Sequence, residues 1–294
     1  MTTTKLFSYQ NGNCAVDIFS DGTKIRTWDG IPRPVFPESM DVKITNRCSL
    51  ENHCKWCHEG SVKDGEHADL VGLLPVFDGL PPGVELAIGG GNPLSHPHLV
   101  WLLEKLSGLG LIANITVNEL HLSQYLPLLE QLIVGRLVYG IGVTYSGADT
   151  ISLSHLNGLS ENIVYHMIAG IHNVDDIQKA PKALVLGYKR IRKGETFFSP
   201  AVEENLYRWY TRIPLYFGKV PISFDNLALE QLNVRRFLPK DEWDKFYMGD
   251  DGSFTFIIDG VKMEYAISST SMDRYPVGEK TAAEIFQELQ RRPK

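Results

Sequence analysis

Several features that would set this chain apart from ordinary globular proteins are missing from its 294 residues. No run of about 18 apolar residues occurs, so no membrane-spanning segment and no membrane partner are expected. The opening sequence MTTTKLFSYQNGN has no apolar signal segment, and we therefore expect a cytoplasmic location. The formal net charge of −6 argues against nucleic acid as a partner, because such partners select for excess positive charge.

Cysteine is scarce, and its placement is uneven. The chain has four cysteines, and three of them, Cys48, Cys54 and Cys57, lie within ten residues in the pattern C-x5-C-x2-C. Thiols stay reduced in the cytoplasm, so a disulfide framework is not expected. Clustered cysteines in such a protein are more often metal ligands or catalytic groups. Cys14 is remote from the others, and we expect it to be a lone structural thiol.

Strand and helix patterns alternate from residue 41 onwards. Apolar strand patterns such as MDVKIT and VELAIGG are followed by helical patterns such as HPHLVWLLEKLSGLG, and about six such units occur. This alternation predicts a parallel sheet covered by helices. Six units are too many for a small three-layer domain, so a full or partial barrel over residues 41–240 is expected.

The two ends of the chain have a different texture. Residues 1–40 predict a β-hairpin, AVDIF and KIRTW around a Ser-Asp-Gly-Thr turn, and then a proline-rich connector. Residues 241–294 predict a second hairpin, FTFIIDGVKMEYAIS, and a closing helix, TAAEIFQELQRR. We expect this extension to pack on the barrel. Two roles remain open for it: a lid at the substrate end, or a cover for an exposed strand edge.

The three clustered cysteines follow the first barrel strand, at the face where α/β barrels bind ligands. A zinc site would use the three thiolates with His53 or His58. Alternatively, three thiolates could hold an iron–sulfur cluster and leave one iron open to a small molecule. Ordinary buried cysteines are a third interpretation, which their clustering disfavours.

A glycine run ends the second barrel strand. Gly89, Gly90 and Gly91 precede Asn92 and Pro93, and their lack of side chains would let a ligand approach the backbone. Consecutive parallel strands are usually neighbours, so this loop should lie beside the cysteine loop.

Together these two motifs resemble those of the radical S-adenosylmethionine (SAM) enzymes. That family usually carries C-x3-C-x-Φ-C, with Φ aromatic, in the loop after the first strand. Here Trp56 stands at Φ, while the first gap has five residues where three are usual. The family's G-G-E-P motif is similar to Gly90-Gly91-Asn92-Pro93, with Asn in place of Glu.

The resemblance implies a partial (β/α)6 barrel in which Cys48, Cys54 and Cys57 bind a [4Fe–4S] cluster. It implies that SAM binds beside the cluster and that an amide oxygen or backbone carbonyls replace the missing Glu. The positions that match the family's cofactor contacts are Trp56, Gly89, Gly90, Gly91, Asn92, Pro93, Asn118, Ser146, Ile168, Gly170 and Tyr188.

The activity implied by the resemblance is reductive cleavage of SAM to a 5′-deoxyadenosyl radical that abstracts hydrogen from a substrate. The substrate could be a small molecule, a nucleotide or a peptide, and a flavodoxin or ferredoxin would supply the electron. No further cysteine motif is present, so auxiliary clusters are not expected. Two alternatives remain: a zinc-stabilised α/β binding protein, and a radical SAM fold that serves as a sensor or accessory protein.

One dense basic cluster follows the sixth barrel strand, at Lys189, Arg190, Arg192 and Lys193. It predicts either a solvated turn or a binding site for an anionic group of the substrate or cofactor.

Overall fold

A computed structural model describes residues 3–292. The strands in this range are β1 Lys5–Asn11, β2 Cys14–Phe19, β3 Lys24–Trp28, β4 Ser39–Thr45, β5 Glu85–Gly90, β6 Ile112–Asn118, β7 Gly140–Thr144, β8 Ile163–Ile168, β9 Ala183–Leu186, β10 Ile222–Phe224, β11 Thr255–Asp259, β12 Glu264–Ala266 and β13 Tyr275–Pro276. The α-helices are α1 Leu70–Leu73, α2 Leu99–Gly108, α3 Leu122–Val134, α4 Thr150–Leu159, α5 Lys193–Phe197, α6 Pro200–Arg212, α7 Asn226–Gln231, α8 Lys240–Phe246 and α9 Ala282–Arg291.

A ten-stranded sheet organises the molecule, in the order β10-β9-β8-β7-β6-β5-β4-β11-β12-β13. Strands β4 to β10 are consecutive in the chain, and each is parallel to the next. Alternate residues of these strands, such as Met40, Val42 and Ile44, are buried in the main hydrophobic core. The predicted α/β class and mostly parallel sheet are therefore confirmed, although seven consecutive parallel strands are present where about six units were expected.

The helical segments differ from the sequence pattern in two places. Helix α4 was not predicted, because its sequence TISLSHLNGL mixes Ser, Thr, His and Asn with few apolar residues. It begins where the side chain of Asp149 accepts a hydrogen bond from the backbone of Ser152. The helix predicted after β4 is reduced to α1 and a 3-10 turn, Leu74–Phe77, with Pro75 at the second position of that turn.

Strands β1, β2 and β3 form a separate antiparallel sheet. The hairpin expected from AVDIF and KIRTW is present as β2 and β3, and β1 adds a third strand that the pattern did not predict. Val16 and Ile18 of β2 pack against Ile112 at the start of β6, so this small sheet is anchored to the large one by apolar contacts.

The C-terminal hairpin joins the large sheet. Strand β11 pairs in parallel with β4, on the side of β4 that does not contact β5, and β12 pairs antiparallel with β11. This placement covers the edge that β4 would otherwise expose, which is one of the two roles expected for the extension. In the described part of the chain, no helix is both long enough and apolar enough to cross a lipid bilayer.

One buried ion pair ties the small sheet to the large one. The Arg26 guanidinium donates two hydrogen bonds to the Glu38 carboxylate, Nε to Oε1 at 2.7 Å and Nη2 to Oε2 at 2.8 Å. The same guanidinium lies over the ring of Phe254, and both charged side chains are at most 5% exposed. Because the two charges are withdrawn from water, each depends on the other for stabilisation.

We predict that Arg26→Met lowers the free energy of unfolding by about 3–5 kcal/mol, because the substitution leaves the Glu38 carboxylate buried without its partner. Urea denaturation measures the change. The control is Asp244→Asn, which breaks the exposed Lys240–Asp244 pair and should leave the unfolding midpoint nearly unchanged. Equal shifts for the two variants would contradict the prediction.

Candidate functional site

The three clustered cysteines lie in the loop that connects β4 to α1. Two tight turns shape this loop, with the amide of Cys54 donating to the Leu50 carbonyl at 3.0 Å and that of Cys57 to the Cys54 carbonyl at 3.0 Å. The pKa of Cys54 is raised to about 11, mainly by burial and in smaller part by charge on Cys57 and Cys48. The three thiols are thus close enough to interact electrostatically, and a bound cation would favour their thiolate forms.

Two side chains, one from the end of β6 and one from the turn that follows it, contact the thiols. Asn118 Nδ2 donates to Cys54 Sγ at 3.6 Å, and His121 Nε2 lies 3.6 Å from Cys48 Sγ. Burial lowers the pKa of His121 to about 4, so its ring is neutral near pH 7. Asn118 was predicted to contact the cofactor, and the structure places it beside the cysteine cluster.

The arrangement of the thiols bears on what they could hold. Within residues 3–292, no three His, Cys, Asp or Glu side chains converge so that they could hold a single metal ion. A four-coordinate zinc requires such convergence on one point. Each thiolate of a cubane binds a different iron, so a cubane needs its thiolates around a larger body. The three neighbouring, partly buried thiols supply the three protein ligands that a cubane with one open iron needs.

The glycine run packs directly on the backbone that leads into Cys48. A Cβ on Gly91 would lie 2.3 Å from the Arg47 carbonyl oxygen, and one on Gly90 would lie 2.4 Å from the Thr45 carbonyl oxygen. Gly90 also has a φ of 113°, which disfavours other residues. The close approach that requires these two glycines is therefore made to protein backbone. Gly89 differs, because its Cβ would meet nothing nearer than 4.0 Å.

Asn92 and Pro93 continue this packing. The amide of Asn92 donates to the Arg47 carbonyl at 2.7 Å, and its side-chain Oδ1 accepts from the Leu94 amide at 3.2 Å. Pro93 then opens a short 3-10 turn. The side-chain oxygen of Asn92 is thus engaged as a helix cap, which favours backbone carbonyls for the ligand contact that a Glu would make.

A cavity of about 470 Å³ adjoins the cysteine loop. It is formed by the ends of β6, β7 and β8 together with helices α5 and α6. Five of the predicted site residues line it, namely Cys54, Trp56, Asn118, Ser146 and Gly170. Its other lining residues are His53, Leu120, Thr144, Tyr145, Ile171, His172, Phe197, Ser199, Ala201, Val202 and Asn205. Sequence motifs separated by more than 100 residues therefore meet around one space.

Other predicted residues lie outside this cavity. Tyr188 is buried, donates its hydroxyl to the Gly194 carbonyl at 2.8 Å and lines a different cavity of about 490 Å³ with Arg190 and Tyr207. Ile168 is half-buried in β8 and does not line the 470 Å³ cavity. His172 and Asn205 line it instead, although no motif in the sequence marked them.

Glu119 is a buried polar residue that the sequence did not single out. Its carboxylate accepts hydrogen bonds from the amides of Gly147 and Asp149, at 2.7 and 2.8 Å, and from the hydroxyl of Ser146 at 3.0 Å. The hydroxyl of Ser146, a predicted cofactor contact, is therefore held in place by Glu119. The one signal for Glu119 in the sequence was its position directly after Asn118, where β6 ends.

The basic cluster after β9 contacts the cysteine loop rather than solvent alone. Arg192 Nη1 donates to the His58 carbonyl at 2.7 Å, and Lys193 Nζ donates to the Ser61 carbonyl at 3.2 Å. These two cations therefore hold the cysteine loop by its backbone oxygens. Lys189 points elsewhere and donates to the hydroxyl of Ser269 at 2.8 Å.

A buried ionic network lies beneath the cysteine loop. Lys43 Nζ lies 3.1 Å from the Glu59 carboxylate and 3.2 Å from the Asp259 carboxylate, with all three side chains largely buried. Burial alone would raise the pKa of Glu59, but His58 and the Lys43 ammonium hold it well below its usual range. The network joins β4, the cysteine loop and the C-terminal strand β11.

The fold can now be compared with known proteins. No protein-family model matches the sequence, and no curated protein matches it. Crystal structures of SuiB from Streptococcus suis do match. With precursor peptide SuiA bound, the TM-score is 0.56 at 12% identity; with SAM bound, it is 0.55 at 14% identity. The chain shares its fold with SuiB. A third SuiB structure gives a TM-score of 0.52 at 15% identity.

The likeness to SuiB is one of fold, and one of the matching SuiB structures contains bound SAM. The match covers 86% of this chain. It covers 65% of the peptide-bound SuiB chain and 66% of the other two. The chain described here thus spans just under two thirds of the length of SuiB.

We predict that Gly91→Ala destabilises the protein by about 1–3 kcal/mol, because the added Cβ forces the Arg47 backbone away and displaces the cysteine loop. Gly89→Ala is the matched control and should stay close to the parent. Thermal unfolding measures stability, and iron bound after anaerobic reconstitution reports on the loop. Full stability and iron content in Gly91→Ala would show that this packing does not support the loop.

Proposed function

We propose that this protein is a radical SAM enzyme built on a partial barrel formed by residues 41–240. The observation that carries the proposal is that Cys54, one of three clustered thiols, forms part of the wall of a 470 Å³ cavity at the ends of consecutive parallel strands. The fold shared with SuiB, which binds SAM, supports this assignment. A cluster on these thiols would thus face a space open to a small molecule.

The cysteine loop would hold the cluster through Cys48, Cys54 and Cys57. When bound, a [4Fe–4S] cluster and SAM would supply the chemistry: one-electron cleavage of SAM to a 5′-deoxyadenosyl radical that abstracts hydrogen from a substrate. Asn118 donates a hydrogen bond toward the sulfur of Cys54, which stabilises negative charge there. The hydrogen bonds that Arg192 and Lys193 donate to backbone carbonyls keep the cysteine loop in place while ligands bind and leave.

The 470 Å³ cavity would bind SAM. Its polar groups, such as Asn118, Thr144 and Asn205, can bind the polar ends of the cofactor, while Trp56 and Phe197 supply apolar surface. The rings of Trp56 and Phe197 lie 5.7 Å apart, so the aromatic residue of the cysteine motif packs on helix α5. This packing places apolar surface beside the cysteine loop, and a radical reaction is favoured where water is excluded.

The substrate could be a small molecule, a nucleotide or a peptide. A peptide substrate is supported by the fold shared with SuiB, since one SuiB crystal structure contains the precursor peptide SuiA. A flavodoxin or ferredoxin in the cytoplasm would donate the electron. The activity and partners of the complete SuiB protein carry over only as proposals, because the chain covers 65% of that structure.

A zinc-stabilised binding protein has less support. The thiols do not converge with a histidine on one point in the described residues. A structural zinc would also not account for the 470 Å³ cavity that the cysteine loop borders.

We predict that anaerobically reconstituted protein binds about four irons per chain and forms 5′-deoxyadenosine when reduced with SAM. Alanine at Cys48, Cys54 or Cys57 should abolish both iron binding and product formation, because each thiolate holds one iron. Cys14→Ala is the control and should retain both, since Cys14 lies buried in β2 away from the site. One tightly bound zinc and no iron would overturn the proposal.

Occupation of the 470 Å³ cavity by SAM can be tested with Ala201→Trp. Ala201 is an exposed residue of α6 that lines the cavity, so a Trp there should fill part of the space without disturbing the core. We expect SAM affinity to fall by about tenfold or more while iron content is unchanged. The control is Glu203→Trp, which adds the same ring on α6 outside the cavity. Equal SAM affinity in both variants, measured by calorimetry, would place SAM elsewhere.

A further inference from the structure

A second polar cavity, of about 160 Å³, lies where the C-terminal hairpin meets the segments that follow β9 and β10. It has no lining residue in common with the 470 Å³ cavity. Strands β4 and β11 contribute Asp41 and Ile257, and the turn after β12 contributes Ser269. From the other side come Lys189 and Asp225. Of these residues the sequence marked only Lys189, as part of the basic cluster that could bind an anionic group of the substrate or cofactor.

Side-chain hydrogen bonds connect the two sides of this cavity. Lys189 Nζ donates to Ser269 Oγ at 2.8 Å, and Asn226 Nδ2 donates to Asp251 Oδ1 at 2.7 Å. These bonds join groups that are 80 and 25 residues apart in the chain. The walls of the cavity are rich in charged and hydroxyl groups, which distinguishes it from a packing defect in the core.

None of the four charged groups that line this cavity has an opposite charge in contact within the described residues. In the described part of the chain, Asp41 makes no side-chain hydrogen bond and no ion pair, and Lys189 makes no ion pair. The other carboxylates differ: Asp225 accepts from the amides of Gly187 and Ala228, and Asp251 accepts from Asn226. Among the described residues, Asp41 is thus the carboxylate of this cavity without a hydrogen-bond donor, while Lys189 uses one of its three N–H groups on Ser269.

The electrostatic surroundings support this view of Asp41. Desolvation by the surrounding protein raises the pKa of Asp41. The Lys189 ammonium opposes that rise, and the charges of Glu59 and Asp225 add to it. A bound cation would therefore favour the ionised carboxylate. The Asp41 side chain is exposed and lines the cavity, so a polar ligand can reach it.

The cavity is also connected to the cysteine loop. Asp41 and Lys43 lie on the same face of β4, two residues apart, and Lys43 pairs with Glu59 at 3.1 Å. Glu59 follows Cys57 by two residues. A ligand at Asp41 would thus lie beside the network that supports the proposed cluster.

The volume limits what can bind. A cavity of about 150 Å³ accepts a benzene molecule, so the 160 Å³ space suits a ligand group of about six to eight non-hydrogen atoms. That size excludes a nucleotide and fits the part of an amino acid that carries its charges.

We propose that this cavity binds the zwitterion of a small free α-amino acid, with Asp41 on the ammonium group and Lys189 on the carboxylate. The inference rests on the proposed radical SAM function in assigning this amino acid as the substrate. Hydroxyl groups of Ser269 and the neighbouring turn residues complete the set of hydrogen-bonding partners.

Calorimetry on the reconstituted full-length protein tests the proposal, with L-alanine, L-serine and L-threonine as probes. We expect at least one to bind, and its N-acetyl and amide derivatives to bind about tenfold or more weakly, because each lacks one charge. Asp41→Asn should weaken binding of the zwitterion. It should also remove the loss of affinity caused by N-acetylation, but not the loss caused by amidation. Lys189→Met should remove the loss of affinity caused by amidation, but not the loss caused by N-acetylation.

Charge-matched controls are Asp29→Asn and Lys105→Met, which alter exposed residues away from the cavity and should bind as the parent does. Absence of binding for all three amino acids, or equal penalties in Asp41→Asn and the parent, would overturn the zwitterion site. Failure of the radical SAM proposal is seen separately, as missing iron or missing 5′-deoxyadenosine. Amino-acid binding without that chemistry would sustain the site and reject the enzyme assignment.

Discussion

The contact between the β5 glycine turn and the backbone before Cys48 is the constraint on which the proposed site depends. Amides of Gly91 and Asn92 donate to the carbonyls of Thr45 and Arg47, at a distance that leaves no room for a Cβ. The cysteine loop departs from this contact, so its position relative to the sheet is set there. A ligand-binding interpretation of the glycines is compatible with this packing role, but the packing alone is sufficient reason for their identity.

Charged groups hold the cysteine loop from two further directions. Arg192 and Lys193 bind its backbone oxygens, and Lys43 joins Glu59 of the loop to Asp259 of the C-terminal hairpin. Buried ion pairs of this kind are costly to desolvate and specify geometry more than they add stability. Their concentration around one loop fits a site whose ligands must be positioned accurately. The hairpin is thus both an edge cover and a support for the loop.

The two cavities suggest a division of binding between cofactor and substrate. The larger one is bordered by Cys54 and by strand ends with residues that match the family's cofactor contacts. The smaller one is bordered by Asp41, Lys189 and the hairpin, and it lies beside the ionic network under the loop. If SAM and the substrate occupy separate cavities beside the same loop, the two ligands would meet only near the cysteines. Such an arrangement would confine a reactive species to its substrate.

Local patterns in the sequence determined the alternation of strands and helices, the cysteine and glycine loops, and their common face, because parallel strands end on the same side. The resemblance to the radical SAM family also pointed to Trp56, in the cysteine loop, and to Asn118, the last residue of β6. Only the tertiary structure decided the partners: Asp259 beside Lys43, Glu119 under Ser146, and Ser269 opposite Lys189. These pairs join segments far apart in the chain. Which charges meet there depends on the register of β11 against β4 and on how the sheet curves, and neither leaves a trace in residue spacing.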